Sequence, residues 1–212
     1  MRTKNEARRQ AILDSAAQVF QELGYERSSM AEICQRLGYS KATLYSYFAS
    51  KDELFFEVVT QSVKAEFEAT HAALDPSIDD ITLALERFGR RFLGFLYAPA
   101  MQAVRRMLIA HAPGRASLGR ACFERGPARS EAAVAAFLAQ AMAAGKLRQA
   151  DPVLAGQQLR SLLEAEWIKP FMFHLLDEMP EAQVQASVQR AVATFMAAYG
   201  PCALKPEPIT GS

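Results

Sequence analysis

The chain has 212 residues, with 24 Lys and Arg against 23 Asp and Glu, and half of its residues are apolar. At roughly 150 residues per domain this length suits one or two domains with a real core, and a charged fraction of 22% excludes disordered, collagenous and disulfide-scaffold classes. A net charge of +1 argues at first sight against a nucleic-acid partner, because nucleic-acid-binding domains usually carry a basic excess.

Nearly the whole chain carries helical periodicity, and no run of alternating β-branched residues reaches strand length. In the first segment Ile12, Ala16, Val19, Phe20 and Leu23 form one stripe of a 3.6-residue helix, closed by Gly24. Met30, Ile33, Cys34 and Leu37 form a shorter stripe. It starts at Ser29-Met-Ala-Glu32, which has capping-box spacing, and stops at Gly38, a residue suited to the left-handed conformation that ends helices. Another short helix opens at Ser40, and a longer one opens at the second capping box, Ser50-Lys-Asp-Glu53, and is expected to run towards Leu74. Further helices are expected near 78–97, 100–111, 115–125, 127–144, 152–176 and 181–199, with discrete breakers such as Pro113-Gly114 between them. Pro127 and Pro152 fall where a first-turn proline is tolerated. Pro170 lies inside a continuing pattern and predicts a kink. The tail after Gly200, with three prolines, is expected to fray.

Cys34, Cys122 and Cys202 lie 88 and 80 residues apart, without metal-ligand or redox-motif spacing. They read as reduced thiols of a cytoplasmic protein, Cys34 as plain core. The basic start MRTKNEARRQ has no apolar run behind it and so is no signal peptide. No window approaches ~18 uncharged apolar residues, the length that spans a membrane.

Function concentrates between Ser29 and Phe48. Short helix, glycine turn, short helix is the helix-turn-helix arrangement. The second helix, SKATLYSYF, buries little beyond Leu44 and Phe48 and offers Lys41, Thr43, Tyr45 and Tyr47 outward, side chains able to reach phosphates or base edges. Ser28 and Ser29 present amides where a phosphate binds well. The same pattern equally suits a helical hairpin whose tyrosines merely pack.

The stretch GYERSSMAEICQRLGYSKATLYSYFASKDELF resembles the signature of TetR-family transcriptional regulators, and the likeness runs from about residue 8 to 60. It implies an all-α fold: an N-terminal three-helix helix-turn-helix DNA-binding domain over 1–50, a connecting helix over 51–74, an effector-binding and dimerisation domain over 75–200 and a flexible tail over 201–212. Carried over by position, residues 40–46 form the recognition helix. Ser40, Lys41, Ala42 and Thr43 then meet bases or backbone, Tyr45 and Tyr47 grip phosphate, and Lys51 adds a further backbone contact. The stretch ACFERGPARSEAAVAAFLAQAMAAGKLRQADPVLAGQQLRSLLE looks like the AefR-like C-terminal type. The family implies a small-molecule effector, a palindromic double-stranded DNA operator and a homodimer built from the last two long helices, with no cofactor and no metal.

The residues themselves support the last points only in part. Phe88, Phe92, Met107, Phe123, Phe137, Trp167 and Phe171 can line an apolar cavity, with His111, Arg105 and Glu164 as candidate polar anchors. Aromatics at helical spacing are as readily plain core, and the anchors suit surface or capping roles. Val184, Val188, Val192, Phe195 and Tyr199 form a stripe with Ala186, Ala193 and Ala197 beside it. Together with Leu159 and Leu162 this stripe is the expected dimer face, although one chain can satisfy such a stripe by itself. The expected function is a ligand-responsive dimeric repressor released by an apolar or amphipathic molecule. The alternative is a helical adaptor for protein partners with a degenerate DNA-binding head.

No catalytic constellation accompanies these features. There is no Gly-x-Ser-x-Gly elbow, Gly-rich phosphate loop or His-Glu-x-x-His, His71, His111 and His174 are scattered, and Glu164 and Glu166 point to different sides of a helix. Nor does the neutral total exclude DNA. Residues 1–51 carry +3, 52–86 carry −8, 87–129 carry +8 and the remainder −2. The head is modestly basic, and the opposed middle blocks either pair across packed helices or leave arginines for an anionic ligand.

Overall fold

The structure, a computed structural model, describes residues 4–75, 78–111, 116–173, 175 and 179–201. Pro113-Gly114, His174, Cys202 and the proline-rich tail lie outside the described residues. Among the described residues every regular element is a helix, and no strand occurs. The first six are α1 (Lys4–Arg27), α2 (Met30–Leu37), α3 (Lys41–Tyr47), α4 (Lys51–Ser62), α5 (Lys64–Ala72) and α6 (Ile81–Leu96). They are followed by α7 (Pro99–His111), α8 (Ala116–Arg125), α9 (Pro127–Ala143), α10 (Pro152–Glu164), α11 (Ile168–Met172) and α12 (Glu181–Tyr199).

The chain forms two compact units that cut across the expected domain limits. One comprises the chain up to Glu68 together with Phe95–Pro127, and the other comprises Ala69–Gly94 together with the chain from Ala128. In the first, α1 packs on α2 and α4, α2 on α3, and α4 on α7 and α8. Its core holds Ile12, Ala16, Val19, Phe20, Met30, Ile33, Cys34, Leu44 and Phe48, joined by Val104, Met107, Leu118 and Cys122 from α7 and α8. Cys34 and Cys122 are buried free thiols, and burial pushes the Cys122 thiol up to about 11. In the second unit α10 packs along α12.

Two expected helices are broken. The one opening at Ser50 stops at Ser62, whose hydroxyl donates to the Val59 carbonyl. Val63 (φ −100°, ψ 4°) leaves the helical region before α5 begins. The helix from Pro152 ends at Glu164, not at a kink at Pro170. Proline has no N–H for a continuing ladder, so the chain restarts at Ile168 and Pro170 falls in the first turn of α11, where an N–H has no helical partner anyway. Gly24 (φ 74°, ψ 169°) interrupts α1 near its end.

Candidate nucleic-acid interface

Three serines build the reading head. The hydroxyls of Ser29, Ser40 and Ser50 accept the N–H of Glu32, Thr43 and Glu53, each at 3.1 Å, and so cap α2, α3 and α4. The reciprocal arm of the second capping box reaches one residue further back, the Ala49 N–H donating to Glu53 at 2.8 Å. In the first box that arm is missing, because Glu32 pairs with Arg36. Gly38 takes the left-handed conformation (φ 67°), and Tyr39 N–H bonds back to the Cys34 carbonyl at 3.3 Å. The result is a tight α2–turn–α3 unit with Leu44 and Phe48 fully inside.

This packing leaves one face of α3 open. Ser40, Lys41, Ala42 and Tyr45 are exposed, while Thr43 and Tyr47 are half-buried. Ser40 and Thr43 hydroxyls lie 2.9 Å apart. Lys41 and Tyr45 join Ser28, Ser29 and Lys51 around an open cleft of about 400 Å³, a concave and basic site beside the N-terminus of α2.

Two expected contacts have other work in the fold. Ser28 is buried and donates its hydroxyl to the Tyr25 carbonyl at 2.7 Å, so its side chain is turned away from an approaching phosphate. Lys51 Nζ donates to the carbonyls of Tyr25 (2.8 Å) and Ser28 (3.1 Å) and sits 4.2 Å from the Tyr25 ring centroid. Helix endings free carbonyls that need donors, and the lysine supplies them.

The sequence reading missed the neighbours of this lysine. The Tyr25 hydroxyl donates to Asp52, and the Tyr25 ring packs on Phe20, Phe55 and His111. A second missed group is Glu57, which pairs with Arg9 at 2.5 Å and with Arg125, while the Arg9 guanidinium lies 5.1 Å from the Phe48 ring centroid. Their sequence separations are too long for any local pattern to signal. Among the described residues Arg125 is thus one point where the opposed charge blocks do pair.

The expected ligand residues divide between the units. Met107, His111 and Phe123 belong to the unit of the reading head: Met107 is core, His111 packs on Tyr25, and Phe123 is 49% exposed. Phe88, Phe92, Phe137, Trp167 and Phe171 belong to the other unit. There Phe88 and Phe92 stack at 5.4 Å and line a cavity of about 20 Å³ with Val134, Gly156, Leu159 and Arg160, room for about one water. Ser130 at its edge is 2.8 Å from His71 Nε2, and the His71 ring is 6.0 Å from that of Phe88. Phe137 lines a separate hollow with Ile81 and Ala141. Trp167 is core, its indole N–H donating to buried Ser187 at 3.0 Å, and Phe171 is buried as well.

Four of the five residues expected at a dimer face are buried within the single chain, in the unit where α10 packs on α12. Phe195 is 0%, Leu159 1% and Val188 1% exposed within the single chain, and Val184 is buried too. Leu162 is half-buried.

A short capped helix pair with an open hydroxyl-, phenol- and lysine-bearing face, in an all-helical chain, defines a helix-turn-helix DNA-binding regulator. Comparison with known proteins gives the family. Residues 12–58 match bacterial regulatory proteins of the tetR family, and residues 83–201, over half the chain, match the AefR-like transcriptional repressor C-terminal domain. The chain belongs to the TetR family of transcriptional regulators. It is 27% identical to a TetR-family transcriptional regulator from Mesorhizobium loti, with a TM-score of 0.80 over 94% of this chain and 100% of that one. It is 30% identical to the flavonoid-responsive regulator FrrA, with a TM-score of 0.71 over 93% of this chain and 99% of that one. Among curated relatives, the A-factor receptor protein of Streptomyces griseus is 37% identical over 70 residues, 32% of this chain and 25% of that protein. The regulator YhgD of Bacillus subtilis is 31% identical over 71 residues, 34% of this chain and 37% of that protein. The chain thus spans well under half the length of these curated relatives. No helix among the described residues is long and apolar enough to cross a membrane.

Proposed function

We propose that the chain is a ligand-responsive, dimeric repressor acting in the cytoplasm, released from a palindromic operator by a small apolar or amphipathic molecule. The observation that carries this reading is the Phe88–Phe92 stack over an apolar cavity, inside the segment that matches an AefR-like repressor domain. FrrA, of similar length, responds to a flavonoid, which suits a site walled by two phenylalanines and edged by the polar groups of Ser130, Glu131 and Arg160. The relative FasR of Mycolicibacterium smegmatis is a transcriptional activator, 34% identical over 90 residues. The repressor reading therefore draws on the match to the AefR-like repressor domain.

A cavity of about 20 Å³ holds no effector as it stands, so binding opens the phenylalanine stack. Such a ligand shifts DNA occupancy only through different affinities for the two conformations. The DNA contacts fall to Ser29, Ser40, Lys41, Ala42, Thr43, Tyr45 and Tyr47, with Lys51 at the rim of the cleft. Since a seven-residue helix reads few base pairs, two heads one helical turn apart supply the rest. The partner face is the outer side of α10 and α12, where Leu154, Ala193 and Ala197 are exposed and Leu162 and Ala186 half-buried; the small residues allow close helix approach.

Light scattering on the eluting peak tests the dimer, with an expected mass twice the 23.4 kDa of one chain; a concentration-independent monomer ends that part of the reading. Pull-down and sequencing of genomic fragments identifies the operator. With it in hand, a panel of hydrophobic and flavonoid ligands is expected to quench or shift the fluorescence of Trp167, the single tryptophan, and to weaken the gel shift. If both stay unmoved across the panel, the chain is not ligand-responsive in the way proposed.

A further inference from the structure

Asp52 stands in the first turn of α4, yet it is only 4% exposed. A buried carboxylate is costly unless donors meet it, and the Tyr25 hydroxyl donates to this one. The same tyrosine carries Lys51 on its ring face, 4.2 Å from the centroid, and gives the lysine its own carbonyl at 2.8 Å. Phe20, Phe55 and His111 hold the ring from other sides. Just before it, Gly24 breaks α1, and just after it Ser28 offers the second carbonyl, at 3.1 Å from Lys51 Nζ. One tyrosine, through its hydroxyl, ring face and carbonyl, thus joins three things: the turn from α1 into α2, the start of α4, and the Lys51 ammonium. An ammonium has three N–H donors; two are spent on these carbonyls, and Lys51 also lines the cleft shared with Ser29, Lys41 and Tyr45.

We propose that Tyr25 and Asp52 are positioning residues for DNA binding: without touching DNA, they hold Lys51 and the α1–α2 turn so that the cleft grips one backbone phosphate. The inference rests on the DNA-binding reading of the head. It assigns Lys51 both tasks, clamping the turn with two of its donors and meeting the phosphate with the third.

The test uses the full chain and a mixed-sequence duplex of about 30 base pairs, since phosphate contacts are independent of sequence. Binding is followed against salt, well below the melting temperature of each variant. Tyr25→Phe keeps the ring and the net charge. It is expected to bind severalfold more weakly, with the slope of log affinity against log salt reduced by about 0.9 per chain bound, the share of one phosphate. A merely structural tyrosine lowers the melting temperature and leaves that slope alone. Asp52→Ala separates positioning from charge, because removing a carboxylate beside DNA tightens binding by charge alone, whereas loss of positioning weakens it. Asp52→Asn keeps an acceptor for the Tyr25 hydroxyl and is expected to bind at least as tightly as the parent. A parental slope in Tyr25→Phe, or tighter binding by Asp52→Ala, overturns the proposal. If Asp52→Ala does not fold, Tyr25→Phe and Asp52→Asn decide the matter. A parent chain that fails to bind the duplex at low salt defeats the DNA-binding reading itself, which the variants alone cannot do.

Discussion

In the unit of the reading head, α2 and α3 are eight and seven residues long, too short to persist alone in water. They are held by serine caps, a glycine turn and a few deep apolar anchors, so most of the α3 surface stays free for recognition. In the other unit α10 and α12 are thirteen and nineteen residues long and are held by continuous apolar stripes that close on each other. The contrast shows how one chain divides the means of stability. Terminal polar bonds fix helices whose faces must read a partner, and side-chain burial fixes helices whose inner faces need only pack.

The largest expected effects come from matched deletions in the two cores. Phe48→Ala in the head and Phe195→Ala in α12 each remove a fully buried ring, and each is expected to cost about 3–5 kcal/mol in urea unfolding. Amide exchange sharpens the comparison: Phe48→Ala should expose α2 and α3 first, and Phe195→Ala should expose α10 and α12. If either variant loosens both units equally, the two do not hold themselves up separately.

Glycines give a smaller effect of two different kinds. A Cβ on Gly89 would lie 2.8 Å from both Leu163 Cδ2 and Val188 Cγ1, so Gly89→Ala overpacks the second unit, at about 1–3 kcal/mol. Around Gly38 there is open space, and Gly38→Ala costs about 1–2 kcal/mol through its left-handed backbone alone. Thermal melts that rank Gly38→Ala well above Gly89→Ala would break the assignment of packing to one unit and backbone geometry to the other.

Helix caps come next, at about 1 kcal/mol each. Ser50 caps α4 in the head, while Asp151 caps α10 by accepting from Val153 and Leu154 N–H. Ser50→Ala is expected to lower both the melting temperature and the affinity for DNA, because α4 begins at Lys51. Asp151→Ala should lower only the melting temperature. Equal losses of DNA affinity in the two would erase the functional side of the comparison.

What could be read in advance was local. The stripe through Ile12, Val19 and Phe20, the caps at Ser29 and Ser50, the first-turn place of Pro152, the Gly38 stop and the burial of Leu44 and Phe48 are properties of residues within a few positions of one another. The breaks at Val63 and before Pro170 are backbone departures inside stretches whose apolar spacing continues, and periodicity does not reveal them. Apolar spacing shows that Val184, Val188 and Phe195 need cover but not what supplies it; within the single chain they are already buried. The direction of Lys51, the Tyr25–Asp52 bond and the meeting of His71 with Ser130 join residues from 23 to 59 positions apart and become visible only in three dimensions.

Ion pairs are expected to give the smallest effects, and here too the units differ. Glu57 in the head is only 14% exposed as a side chain and serves both Arg9 and Arg125, so Glu57→Gln leaves two guanidinium groups without their shared partner and lowers the urea midpoint measurably. Glu166 in the second unit is open to water, and so is its partner Arg190. The hydrogen bond from Arg190 holds the Glu166 carboxyl below the usual carboxylate range, with the Coulomb attraction adding to it and slight burial opposing it. A carboxyl that ionises more readily in the folded chain contributes its stability above the ordinary glutamate range and loses it as pH falls through its lowered value. At about 1 M salt, where charges are screened within about 3 Å, that contribution is expected to vanish from Glu166→Gln unfolding curves and to persist for Glu57→Gln. Salt that removes both alike would mean that the head's network is as solvent-exposed as the outer pair, and that burial does not distinguish the two units in their charges.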